Sequence, residues 1–201
     1  MIVFVDTESS DLLKRHLPLS DESQPWIVSI AADLTDIDGN TLDHFSTRIR
    51  ADGRKIRDGA ESIHGISSRS AGRNGVSEIV ALGMLLGFVA QAKYCVGYGL
   101  DFDRQLVESM LIRRRRDTRL WIRPGLEFVN VMLPATPVCK IQPKEPRDDG
   151  SHKWPSLSEA QSIILGESPR EGNHNAWTDA QITKRLFFEL MRRGVIEALV
   201  K

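Results

Sequence analysis

The sequence predicts a mixed α/β sheet with helices on both faces, and three observations lead there. The chain opens on "MIVFV", a β-branched and aromatic run typical of a strand buried on both faces. "WIVSIAADLTDI" resumes strand character, meets "DGN" at 38–40, and returns as "TLDHFSTRIR", which reads as an antiparallel hairpin. Beyond residue 75, helical and strand-like segments alternate.

Taken in order, the first strand runs into a polar stretch rich in Ser, Asp and Pro, Ser9 to Pro25, expected as a long loop. The hairpin follows. Residues 51 to 75 are rich in Gly, Arg and Ser and are interrupted by "SIHGIS". Val76 to Ala92 carries helical periodicity, with Val80, Met84 and Val89 among its apolar positions. "KYCVGYG" reads as a strand entering a glycine turn. "DFDRQLVESMLIRRRR" is a helix, because Phe102, Leu106 and Met110 recur every fourth residue with Val107 and Leu111 beside them. "LEFVNVM" is a short strand, and Pro137 to Lys153 is Pro-rich, charged and expected to be irregular. Two helices finish the chain, from about Ser156 and from Ala176 to Arg193.

The chain has 201 residues, which suits a single domain, 1–201, with a core large enough to need no staples. Lys plus Arg and Asp plus Glu each total 27, so the net charge is zero. That excludes a protein holding nucleic acid by bulk charge, though not a local basic stripe or an acidic pocket filled by metal ions. Two lone thiols, Cys95 and Cys139, and an N-terminus without a basic leader fit a cytoplasmic protein. No window is long and apolar enough for a membrane span.

Four carboxylates occupy distinctive positions. Asp6 and Glu8, two apart at the end of the first strand, point to one face. This is the edge at which open α/β sheets bind ligands. Each acid alone reads equally well as a solvated strand end. "DFD" offers Asp101 and Asp103 in the first turn of a helix, where the dipole favours acids. Asp179 sits in the first turn of the last helix, five residues after His174, and capping alone would account for that pair. Together, however, the acids would converge on one sheet edge. Such a cluster repels itself unless cations neutralise it, and hard oxygen ligands favour Mg²⁺ or Mn²⁺. Two such ions are the standard apparatus of phosphodiester displacement.

"FVDTESS", "VGYGLDFDRQLVESML" and "HNAWTDAQ" resemble, in order and spacing, the three motifs of the DEDDh exonucleases. These form the DnaQ-like branch of the ribonuclease H-like superfamily. Their Asp-x-Glu matches Asp6 and Glu8, their Phe-Asp matches Phe102 and Asp103, and their His-x(4)-Asp matches His174 and Asp179. "SIHGIS" and "KWPSLSEA" resemble two further family segments. The likeness spans nearly the whole chain, and its motifs are specific together though weak singly.

The resemblance implies a ribonuclease H-like sheet of five strands, the second antiparallel to the rest. It implies a 3′–5′ exonuclease that releases nucleoside 5′-monophosphates from nucleic acid, with DNA favoured over RNA. Asp6, Glu8, Asp103 and Asp179 would hold two Mg²⁺ or Mn²⁺ ions, His174 would be the general base, and Thr7, Ser9, His64, Tyr98 and Phe102 would meet the substrate. The alternatives are an RNA-trimming oligoribonuclease and a catalytically weak nucleic-acid-binding module. Three departures stand out: Ser9-Ser10 replaces the family's Thr-Gly, Tyr98-Gly99 replaces its His-Asn, and Asn130 stands where an Asp is frequent. Arg113–Arg116, with Arg119 and Arg123, reads either as a solvated helix end or as a nucleic-acid backbone track roughly 18 Å from Asp103. Trp154 and Trp177 read as core or helix-staple residues rather than stacking platforms.

Overall fold

The computed structural model describes residues 1–145, 148–168, 172 and 174–197. Five strands form one sheet: β1 (Ile2–Ser9), β2 (Ile27–Thr35), β3 (Thr41–Arg48), β4 (Tyr94–Gly97) and β5 (Glu127–Asn130), ordered β3-β2-β1-β4-β5. β2 runs antiparallel to β1 and β3, while β4 and β5 run parallel to β1. The second strand is thus antiparallel to the rest, as the resemblance implies. The DGN turn closes the β2–β3 hairpin, and Asp36 caps it by accepting from the amides of Asp38 and Asn40.

Helices α1 (Asp58–His64), α2 (Ser68–Asn74), α3 (Glu78–Gln91), α4 (Asp101–Arg113), α5 (Met132–Cys139), α6 (Leu157–Ala160) and α7 (Ala176–Arg192) complete the layers, and a π-helical turn, Gln161–Leu165, extends α6. Alternate residues of β1 feed two cores. Val3 and Val5 join Leu85, Val89, Leu106 and Met110 of α3 and α4. Ile2 and Phe4 join Ile182, Leu186, Phe187 and Leu190 of α7, where Phe4 and Phe187 meet edge to face at 5.5 Å. Each such side chain contributes about 1.5–3 kcal/mol by leaving water.

α7 is pinned to the sheet by a charge as well as by oil. Asp33 on β2 is fully buried and accepts from Lys184 Nζ at 2.6 Å and Gln181 Nε2 at 2.8 Å. Removing Lys184 would strand that carboxylate at a cost of about 3–5 kcal/mol.

Several expectations are corrected. Pro137 lies inside α5, in what was expected to be irregular chain; Pro134 falls in the first turn, where no amide is needed, and Lys140 ends the helix at φ 50°. The stretch 51–75 holds the two short helices α1 and α2. α3 begins two residues late and turns a different stripe inward: Ala81, Leu82, Leu85 and Val89 are buried, while Val80 and Met84 are exposed. α4 stops at Arg113, before the rest of the arginine run. Trp154 is exposed rather than core.

The arginine cluster is largely spent on structure. Arg113 donates to the carbonyls of Gln24 (3.1 Å) and Pro25 (2.6 Å), closing the loop after β1. Arg114 and Arg54 both grip buried Glu78 at the start of α3, at 2.9 and 2.5 Å. Arg119 pairs with Asp117, and Arg123 donates to the carbonyls of Val89 and Ala92. The cluster buttresses α3 and α4.

Candidate active site

β1 outruns its parallel neighbour. β4 pairs with it only across Ile2, Val3 and Phe4, then turns away through Gly99, whose φ is +69°. Gly97 permits that close turn, since a Cβ there would lie 2.7 Å from Leu100 Cδ1 and 3.0 Å from the Val5 carbonyl oxygen. Asp6 and Glu8 therefore lie beside the switch point between β1 and β4, since β1 leads on to β2 towards one edge of the sheet and β4 leads on to β5 towards the other.

The other acids arrive from both layers. Asp103, in the first turn of α4, accepts from the Thr7 amide at 3.1 Å and from the Thr7 hydroxyl, both on its Oδ1. Asp179, in the first turn of α7, arrives on the face that carries Asp6 and Glu8, behind the Asn175 cap, whose side chain accepts from Thr178 N at 3.2 Å. His174 precedes that cap; its amide donates to the Ile63 carbonyl at 2.9 Å, and its Nδ1 lies 3.4 Å from Asp179 Oδ2. One ligand atom from each of Glu8, His174 and Asp179 lies within 4.8 Å of the others. The resemblance left His174 out of the ligand set, yet the structure places its ring inside this cluster.

The electrostatics follow from the crowding. Burial, reinforced by Asp103, Asp179 and Glu8, raises the Asp6 carboxyl well above its ordinary range. Burial, then the charges of Asp179 and Asp103, push Glu8 up to about 8. Burial lifts Asp103 to about 7 against the opposing hydrogen bonds from Thr7. Glu8 Oε1 is buried with no hydrogen-bond partner among the described residues. A buried carboxylate oxygen without a partner among the described residues, beside acids that raise one another's pKa, is what a hard divalent cation would satisfy, so the donor set fits Mg²⁺ or Mn²⁺.

A pH dependence follows. Folded-state pKa values above the unfolded ones mean that the native state holds extra protons. The stability they contribute is complete below about pH 4.5 and is lost as pH rises through 7 to 8. Metal-free protein should therefore melt about 3–10 °C lower at pH 8.5 than at pH 5.5. Mn²⁺ should restore most of that loss. Calorimetry in EDTA and in Mn²⁺ checks both, and a flat profile would deny the acids their mutual repulsion.

Asp101 and Asp103 separate cleanly. Asp103 is buried, whereas Asp101 is exposed and accepts from Asn130 Nδ2 at 2.9 Å. Asn130 Oδ1 in turn accepts from Gly99 N at 2.9 Å and Met132 N at 3.2 Å, which ties β5 to the β4–α4 turn. An aspartate could not make the bond to Asp101, which accounts for the departure at 130 locally. Asp103→Ala should lower hydrolysis of a nucleic acid strand by at least ~10²-fold, and Asp101→Ala by less than about fivefold. Steady-state rates decide, and the reverse order would reject Asp103.

The five residues expected at the substrate divide. Thr7, Ser9, His64 and Phe102 line a cleft of about 590 Å³ that also takes in Leu12 and Ile63. Within it, the Thr7 hydroxyl is committed to Asp103, and Ser9 Oγ donates to the Asp11 carbonyl at 2.7 Å. His64 is buried, accepts from Ile66 N at 3.0 Å through Nδ1, and places Nε2 3.2 Å from the Ser9 carbonyl. Burial lowers its pKa, so the neutral ring donates from Nε2 and staples α1 to the end of β1. Tyr98 lies apart from the cleft lining and donates its hydroxyl to the Pro155 carbonyl at 2.8 Å, holding the lead-in to α6. The sequence reading missed the exposed Leu12 and Ile63, because a lone apolar residue in a polar loop or in a helix as short as α1 carries no periodic signal.

No family model matches the chain, and no curated protein matches it. Solved structures do. Exonuclease I of E. coli bound to a dT13 oligonucleotide superposes with a TM-score of 0.73 at 19% identity, over 95% of this chain and 40% of that one. The zinc-bound complex of the same enzyme with single-stranded DNA gives 0.72 at 18%, over 96% and 40%. Exonuclease I from Methylocaldum szegediense gives 0.72 at 20%, again over 96% and 40%. The fold is ribonuclease H-like. This chain spans about 40% of the length of those exonuclease I chains. Among the described residues no helix is long and apolar enough to cross a membrane.

Proposed function

We propose that this chain is a metal-dependent 3′–5′ exonuclease that removes nucleoside 5′-monophosphates from single-stranded or frayed DNA ends. The observation that carries the reading is the meeting of Asp6, Glu8, Asp103, Asp179 and His174 at one end of β1, beside a cleft of about 590 Å³ with Leu12, Ile63 and Phe102 in its wall. The acids are too many and too crowded, each raising its neighbours' pKa, to be solvated strand and helix ends. Preference for DNA rests on the single-stranded DNA bound by the exonuclease I structures that share the fold.

In this reading Asp6, Glu8 and Asp179 would hold one divalent cation, and Asp6 and Asp103 would help to place a second. The ions would supply charge neutralisation at the phosphodiester and would lower the pKa of the attacking water. Thr7 anchors Asp103 to the end of β1 and lets it ionise more readily than burial alone would allow. Glu8 offers its unpaired oxygen. His174, exposed on its loop and turned by Asp179, accepts the proton of the water that attacks phosphorus. Leu12, Ile63 and Phe102 exclude water from the terminal nucleoside and seat its base.

End-blocked strands test this. With Mn²⁺, a 5′-blocked single strand should shorten one nucleotide at a time, and a 3′-blocked one should survive. Internal nicks in a circular strand would show an endonuclease. Parallel digestion of RNA reads the sugar preference, and faster loss of RNA would favour the oligoribonuclease alternative.

A further inference from the structure

The strand pairing aligns three residues that the proposed chemistry does not use together. Glu8 on β1 pairs with Ser29 on β2, and Ser29 pairs with Arg48 on β3. Directly paired residues share a face, so Arg48 lies on the side of the sheet that carries Glu8. Two strand spacings separate their backbones, about 10 Å, which a guanidinium can largely span. Both residues line one cavity of about 270 Å³, together with His174 and Asn175.

Arg48 differs from the other arginines near the sheet. Arg54, Arg113, Arg114 and Arg123 all donate to carboxylates or carbonyls, whereas the Arg48 side chain makes no hydrogen bond or ion pair among the described residues. It is exposed at the end of the edge strand, next to a buried Ser29 whose hydroxyl turns away to the Thr47 carbonyl. The polar cavity and the larger cleft meet along Glu8 and His64. A strand whose terminal nucleoside occupies the cleft must cross the acids and leave on the other side. The polar cavity adjoins that side of the acids, and Arg48 is its arginine left unpaired among the described residues.

We propose that Arg48 binds the phosphate one nucleotide upstream of the bond being cut, so that the strand's 5′ side leaves over β3. This rests on the exonuclease reading and adds a direction and a minimum length to it: full affinity requires a second phosphate. The guanidinium fork suits a phosphate's paired oxygens.

Kinetics on two substrates test it: a dinucleotide with only the scissile phosphate, and a trinucleotide with one more. Arg48→Ala should lower kcat/KM for the trinucleotide by about tenfold more than for the dinucleotide, through KM rather than kcat. Arg48→Lys should recover part of that difference. Strand binding measured on Asp6→Asn should fall with salt, with a logarithmic slope shallower by about 0.7 when Arg48 is also replaced. Equal losses on both substrates, or an unchanged salt slope, would overturn the assignment. A parent chain that cuts neither substrate would instead reject the exonuclease reading, and the salt slope would still decide Arg48.

Discussion

Asp6→Asn should reduce mononucleotide release by at least about 10³-fold, the scale expected when a ligand of a catalytic cation is neutralised. The same change should leave the metal-free fold as stable or more stable. Asp6 is held among Asp103, Asp179 and Glu8, whose charges all oppose its ionisation. An amide of equal size removes that repulsion, and the melting temperature in EDTA should rise by about 2–6 °C at pH 8. Glu8→Gln should behave likewise, because its Oε1 has no partner among the described residues. Activity and stability moving in opposite directions would be the signature of a functional cluster. Turnover retained in either variant would remove that acid from the site.

His174→Ala should cut turnover by roughly 10² to 10⁴, the usual worth of a general base. Its side chain is 60% exposed and lies 3.4 Å from Asp179, so its loss should cost little stability. Because the ring also lies within ligand distance of Glu8 and Asp179, the decisive measurement is Mn²⁺ affinity by calorimetry. Affinity near that of the parent chain, with activity lost, makes His174 the base. Affinity lost together with activity makes it a ligand.

Much of the fold was legible because its strongest signals are local. "MIVFV" is a continuous apolar run, DGN a turn signal and the i+4 stripe of α4 a helical period, and the structure repeats them nearly residue for residue. α3 was legible as a helix but not in its orientation. "EIVALGMLLGFVAQ" is apolar almost all round, so only the sheet beneath it chooses Leu82, Leu85 and Val89. Helices as short as α1 and α2 give too little periodicity to detect, and their caps carry the signal: Ser67 accepts from Ser70 N, and Gly65 closes α1 at φ 70°. The arginine run misled because charge in a sequence does not reveal which carbonyls it will meet. Asp103 could be chosen over Asp101 only by comparison with family motifs, since the two sit in the same helical turn. Arg48 was available from the hairpin register, had the strands been paired residue by residue.

The ties that build this pocket also fix when it can appear. Thr7 reaches Asp103 across 96 residues of sequence, and Asp33 reaches Lys184 across 151. Contacts of that span repay their loop-closure entropy only after the intervening chain is in place, which slows folding. The order of refolding is therefore constrained: the β1–β3 meander can form early, but Asp179 and His174 arrive only when α7 docks on a sheet already assembled. Recovery of hydrolysis after dilution from denaturant should lag behind the far-ultraviolet signal and track burial of Phe187, so that enzymatic competence serves as a clock for the final docking event.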